Sequence, residues 1–124
     1  MKKDSHYVFV YGTLTDLRLL KTITGKEFEG EPAELPGYKK VDPPYSYPLL
    51  LPDPRHKVKG ILLKNVDTEA IQRLDHYEDE GTLYRRCKVR VKTNSTEVEA
   101  FVYFGEPQKL LRASDLQKFL TEKE

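Results

Sequence analysis

The chain has little of what usually announces a function. Cys87 is its only cysteine in 124 residues, and there is no tryptophan and one methionine. A lone cysteine excludes an intrachain disulfide and any zinc-knuckle spacing. Charge of one sign is also missing. Lys and Arg number 21 against 20 Asp and Glu, for a net charge of +1, so there is no electrostatic footprint for nucleic acid. No apolar run approaches membrane-spanning length. The start, Met1-Lys2-Lys3-Asp4-Ser5-His6, is polar and the apolar stretch after it is too short for a secretory signal, so a cytosolic, cytoplasmic location is expected. Asn94-Ser95-Thr96 is formally a glycosylation sequon but reads better as a hairpin turn. His6, His56 and His76 are too far apart to form a metal-ligand pattern. No Ser or Cys motif suggests a nucleophile, and there is no phosphate-cradling loop. Internal repeats, low-complexity segments and linkers are absent, which points to a single domain over 1–124.

What is present is organised around Tyr7-Val8-Phe9-Val10-Tyr11-Gly12-Thr13-Leu14. Five consecutive β-branched or aromatic residues have no polar face, as in a strand buried on both sides. Gly12 then permits a sharp turn and leaves main-chain N–H groups uncovered. A strand, a glycine turn and a helix start place several donors in one concave spot that suits an anion. An ordinary turn after a core strand is the simpler alternative.

Beyond it, Asp16 is suited to cap a short helix with Leu17, Leu20 and Ile23 on one side, closed by Gly25. Strand-like pieces follow at Phe28 and at Tyr38 to Val41, broken by Pro32, Pro36 and Gly37. Pro43 to Pro48 reads as a stiff loop carrying Tyr45 and Tyr47. Leu49 to Leu51 is a short buried run turned by Pro52-Asp53-Pro54. Val58 to Val66 reads as another strand, with Gly60 at a bulge or a close backbone approach. Asp67 to Glu78 is the clearest helix, capped by Asp67. Tyr84 to Lys92 alternates, with Cys87, Val89 and Val91 on one face, Cys87 reading as a small buried residue. Thr93-Asn94-Ser95 turns the chain and Val98 to Phe104 returns. Ser114 to Gln117 matches a capping box for a last helix with Leu116, Phe119 and Leu120 on its apolar side, and a tail fraying from Thr121. About six strands and two to three short helices, not in strict alternation, predict an α+β fold with the sheet curled into a small barrel.

One residue of the clearest helix is out of place. Ile71, Leu74 and Glu78 fall on one stripe, with Glu78 only about 20° from Ile71 and Tyr77 beside it. An apolar residue is expected there. A carboxylate aimed at a core needs hydrogen-bond partners or is kept for chemistry. The alternative is a helix that ends earlier, leaving Glu78 in water. Asp75, Asp79 and Glu80 are better placed for solvent, and His76 with Glu80 reads as a solvated i,i+4 pair. The eight tyrosines are not interleaved with a basic patch, so they read as core and pocket lining.

Taken together, Tyr11-Gly12-Thr13-Leu14 after a buried strand resembles the N-terminal signature of the γ-glutamylcyclotransferase-like family, which includes the AIG2-like proteins. Leu74-Asp75-His76-Tyr77-Glu78, followed by Tyr84 and Arg86, is similar to that family's second block. Tyr47-Pro48-Leu49 and Val58-Lys59-Gly60-Ile61-Leu62 resemble two segments between them. The resemblance runs from about Tyr7 to Phe104. It implies a small mixed β-barrel with a cavity at one end, no metal and no cofactor. It further implies cleavage of a γ-glutamyl compound by its own α-amino group, releasing 5-oxoproline and a free amine or amino acid. By the same resemblance Glu78 matches the catalytic glutamate, and Tyr11, Gly12, Thr13 and Leu14 match the substrate-binding loop. Tyr47 and Tyr84 are expected to line the pocket, and Arg86 to be structural. The chemistry is coherent with the residues: one poised carboxylate serves both proton transfers, and main-chain N–H groups hold an anion. The competing expectation is a non-catalytic module binding a small carboxylate in the same cavity. The expected partner is a small molecule, with neither nucleic acid nor membrane, and the expected state is a monomer or homodimer.

Overall fold

The computed structural model describes residues 4–122, with side chains through residue 118. In chain order the elements are β1 (His6–Val10), a one-turn 3-10 helix (Thr13–Thr15), α1 (Leu17–Thr24), β2 (Gly30–Val41), β3 (Leu49–Val66), α2 (Thr68–Glu78), β4 (Tyr84–Lys92), β5 (Glu97–Gly105), α3 (Pro107–Leu110) and α4 (Ala113–Glu122). The strands close into a barrel in the order β1-β3-β2-β4-β5. All neighbours are antiparallel except β1 and β5, which run parallel and pair at Val8 and Phe101. The expected mixed barrel is therefore the fold.

The absence of a polar face on β1 has a direct cause. Val8 and Val10 pack with Leu20, Ala70, Ile71 and Leu74, in a layer between the sheet and the helices. Phe9, pointing the other way, packs with Leu35, Leu62, Val91 and Val102. Each face of β1 thus meets its own apolar layer, and burying a side chain the size of Phe9 contributes about 2–3 kcal/mol. β1 is held on one edge by β3, with Val10 opposite Ile61. Gly60 allows that approach: a β-carbon there would stand 2.2 Å from the Val10 carbonyl oxygen.

Among the described residues the strands number five rather than about six, because expected breaks do not break the chain. Phe28 lies outside any strand, and β2 runs unbroken through Pro32, Pro36 and Gly37. Its far edge meets β4 only at Glu34 and Lys92, so prolines remove little ladder bonding there. Likewise Pro52-Asp53-Pro54 does not end the strand that starts at Leu49. Pro36 opposes Lys57 while Tyr38 opposes Pro52, so residues 53–56 of β3 bulge opposite Gly37. Gly37 takes a φ of +86°. Asp53 stabilises the bulge by accepting the Arg55 N–H at 3.0 Å and pairing with His56 Nδ1 at 3.0 Å.

The helices begin and end largely where their caps place them. Asp16 accepts the Arg18 N–H, and Gly25 closes α1 at φ +76°. Leu17 departs from its expected apolar role: it sits in the first turn and is 58% exposed, whereas Leu20 is buried. Asp67 caps α2 through the Ala70 N–H at 2.9 Å. The same carboxylate pairs with Lys26, which also reaches Glu69 at 3.0 Å and so ties the end of α1 to the start of α2. Thr93 makes the hairpin turn, its N–H bonding the Thr96 carbonyl at 2.8 Å. Cys87 is half-buried rather than buried. α3 was not foreseen. α4 starts at Ala113, so Ser114 lies inside its first turn and does not cap it; the helical backbone continues through Thr121 to Glu122. The side chains of Phe119 and Leu120, and residues 123–124, lie outside the described residues.

Candidate active site

β1 delivers Tyr11 and Gly12 to one end of the barrel, where the chain turns at Thr13–Thr15. The turn is held from within. Thr15 donates to the Gly12 carbonyl through both its N–H at 3.0 Å and its hydroxyl at 2.7 Å. The Asp16 N–H bonds the Thr13 carbonyl at 3.0 Å while its carboxylate caps α1. A first helical turn leaves its leading N–H groups without intrahelical acceptors, so the amides from Gly12 to Leu14 sit ahead of the bonded ones.

Facing this turn is the last residue of α2. The helix extends through Glu78 and stops where Asp79 adopts a left-handed conformation, φ 55°. The helix wheel therefore holds to its end. Ile71 and Leu74 are buried, and Glu78 points from the same stripe into a cavity. Burial pushes the Glu78 carboxyl up to about 7, because desolvation disfavours the charged form. The negative end of the α2 dipole acts in the same direction.

Between turn and helix lies a cavity of about 240 Å³. Tyr11, Gly12, Thr13, Leu14, Tyr47, Glu78 and Tyr84 all line it, together with Pro48, Tyr77 and Leu83. The structure thus gathers every residue singled out for the site. Their surroundings differ. Tyr84 is buried and its hydroxyl donates to the Pro48 carbonyl at 2.6 Å. The Tyr11 hydroxyl donates to the Tyr103 carbonyl at 2.5 Å. Burial, with the neighbouring Glu78 adding to it, raises both phenols well above the ordinary tyrosine range, so both keep their protons. Tyr47 and Tyr77 are exposed at the rim.

Behind the cavity wall is a network that sequence reasoning missed. Asp75, expected in solvent, accepts the Tyr103 hydroxyl at 2.7 Å and lies 3.2 Å from Arg86 Nε. That nitrogen is at ion-pair distance but not aligned for a hydrogen bond. The Arg86 guanidinium also lies 4.6 Å from the Phe101 ring centre. Glu80 accepts the Arg86 main-chain N–H at 3.3 Å in place of the expected pairing with His76. The available signal was Asp75 standing three residues before Glu78, which puts both on neighbouring turns of one helix face. Among the described residues no group of three His, Cys, Asp or Glu is placed to hold a metal ion, and no helix is long and apolar enough to cross a membrane.

Comparison with known proteins agrees with this architecture. AIG2-like protein C of Arabidopsis thaliana is 29% identical over 106 residues, which cover 82% of this chain. The chain spans 60% of that relative's length. A solution structure from Arabidopsis thaliana superposes with a TM-score of 0.75 at 25% identity, covering 99% of this chain and 87% of the other. A gamma-glutamyl cyclotransferase structure shares the fold, with a TM-score of 0.70 at 14% identity over 94% of this chain and 87% of its own. An AIG2-like protein from Mus musculus gives 0.62 at 22% identity, covering 82% and 77%. Residues 8–120 match a single family description, gamma-glutamyl cyclotransferase, AIG2-like, and the chain belongs to that family.

Proposed function

We propose that the protein is a γ-glutamyl cyclotransferase in which Glu78 moves the protons. The observation that carries this reading is the placement of Glu78: a carboxyl poised at about 7, in the wall of the cavity that the Tyr11–Leu14 turn also lines. A γ-glutamyl compound brings its own nucleophile. Its α-amino nitrogen attacks the γ-carbonyl carbon, a C–N bond forms and a five-membered ring closes. The bond from that carbon to the leaving nitrogen then breaks. Ionised Glu78 takes a proton from the attacking amine and, now neutral, gives it to the leaving nitrogen. One group near neutral pH suits both transfers. The products are 5-oxoproline and a free amine or amino acid.

The rest of the cavity then serves to hold the substrate folded for attack, which is the larger part of an intramolecular reaction. In this reading the N–H groups of Gly12 to Leu14 receive the α-carboxylate or the developing oxyanion. Tyr11 and Tyr84 form fixed walls, because their hydroxyls are committed to main-chain carbonyls. Tyr47 closes over the leaving group from the rim. The protein acts on a small molecule in the cytosol, as a monomer or homodimer.

The test is direct detection of 5-oxoproline by mass spectrometry. Wild type and Glu78→Gln are incubated with γ-glutamyl amines, γ-glutamyl amino acids and glutathione. Product is expected from wild type, with a loss of at least about 1,000-fold in the variant while the fold persists. Equal turnover by the two proteins overturns the role of Glu78. Tight binding of a γ-glutamyl compound without product, measured by calorimetry, replaces the enzyme by a binding module.

A further inference from the structure

The loop that carries Tyr47 and Pro48 is fastened to the C-terminal helix through Tyr45. The Tyr45 hydroxyl donates to Asp115 Oδ2 at 2.5 Å and accepts the Arg112 main-chain N–H at 3.0 Å. The Arg112 guanidinium covers the same ring, 4.1 Å from its centre. Three contacts on one side chain therefore join the loop to the start of α4, about 70 residues along the chain.

Pro43, at the start of the loop, is buried, whereas Pro44 and Tyr47 are exposed. A second hollow, about 330 Å³, lies between the loop and α4, with Pro43 and Pro44 on one side and Asp115 and Lys118 on the other. Within the loop, the Ser46 N–H bonds the Pro43 carbonyl at 3.3 Å. On its far side, the Pro48 carbonyl accepts the Tyr84 hydroxyl. Tyr47 lies between this anchor and Tyr45 and projects over the cavity mouth, 63% exposed. The two anchors thus stand on either side of Tyr47.

We infer that Tyr45, clasped by Arg112 and Asp115, is a positioning residue that sets the cavity rim through Tyr47 and Pro48. This rests on the cyclotransferase reading only for its kinetic consequence. The clasp acts on how well a substrate is held at the rim and does not touch Glu78, so it governs KM and leaves the proton transfers alone. A charged acceptor makes the Tyr45–Asp115 bond stronger than a neutral one. Exposure to solvent keeps its weight modest.

The experiment compares wild type with Tyr45→Phe, Asp115→Ala and Asp115→Asn by hydrogen exchange and steady-state kinetics. Tyr45→Phe keeps the ring on Arg112 and removes the hydroxyl. Asp115→Asn keeps an acceptor for it. Exchange at the amides of residues 45–47 is expected to rise about threefold or more in Tyr45→Phe and Asp115→Ala, with the barrel strands unchanged. KM rises about fivefold with kcat and the pH profile preserved, and Asp115→Asn stays near wild type. Unchanged exchange at 45–47, a uniform rise across the barrel, or a fall in kcat at constant KM each overturn the inference. If wild type yields no 5-oxoproline, the cyclotransferase reading fails by itself, and the exchange comparison still decides the clasp.

Discussion

The Tyr103 hydroxyl donates to Asp75 at 2.7 Å while the carbonyl of the same residue accepts the Tyr11 hydroxyl. One buried residue of β5 therefore holds both the helix that ends in Glu78 and a wall of the cavity. Tyr103→Phe removes the first link and keeps the second. A hydrogen bond to a charged acceptor contributes roughly 1.5–3 kcal/mol, so the variant is expected to lose stability in that range in urea unfolding. Turnover is expected to fall with little change in KM, because the helix bearing Glu78 is loosened and the substrate contacts remain. Wild-type stability in Tyr103→Phe would show that Arg86 alone holds Asp75.

Glu78 also makes stability depend on pH. Its carboxyl is raised from 4.5 to about 7 by burial. The folded state therefore binds this proton more tightly than the unfolded chain. Stability from this group is fully present below about 4.5 and is lost as pH rises through 7, by roughly 3 kcal/mol in total. Glu78→Gln lacks that loss. It is expected to unfold at higher urea than wild type at pH 8 and to converge with it near pH 5. Parallel pH dependence in the two proteins would refute the buried carboxyl. In activity, the acid limb of kcat/KM is expected near pH 7, since the free enzyme needs Glu78 ionised.

Gly60 is the position where a single methyl group is least tolerable. A β-carbon there would lie 2.2 Å from the Val10 carbonyl oxygen and 2.7 Å from Phe9 Cζ. The first of these is backbone and cannot swing aside. Gly60→Ala is expected to cost roughly 2–3 kcal/mol, read as a lower thermal midpoint. An unchanged midpoint would mean that β1 and β3 separate without penalty.

These relationships differ in how far the amino-acid order discloses them. The strand Tyr7 to Val10 and the Glu78 stripe were legible because local periodicity is what burial imposes on a strand or helix. The continuity of β2 and β3 was not, since proline and glycine mark local conformation and the register across Pro36 and Tyr38 depends on a partner strand. Asp75 was misjudged for a related reason. Its own helix offers it solvent, and only the arrival of Tyr103 and Arg86 from β5 and β4 turns it inward. The Tyr45 clasp joins residues too distant in sequence for any pattern to connect.

The parallel contact between β1 and β5 has a consequence for synthesis. The ribosome makes Tyr7 to Val10 about 90 residues before their second neighbour, at Phe101. Until then a wholly apolar strand presents one open edge. The segment that leads into the cavity turn is therefore an aggregation hazard in the nascent chain, and its protection arrives only with β5.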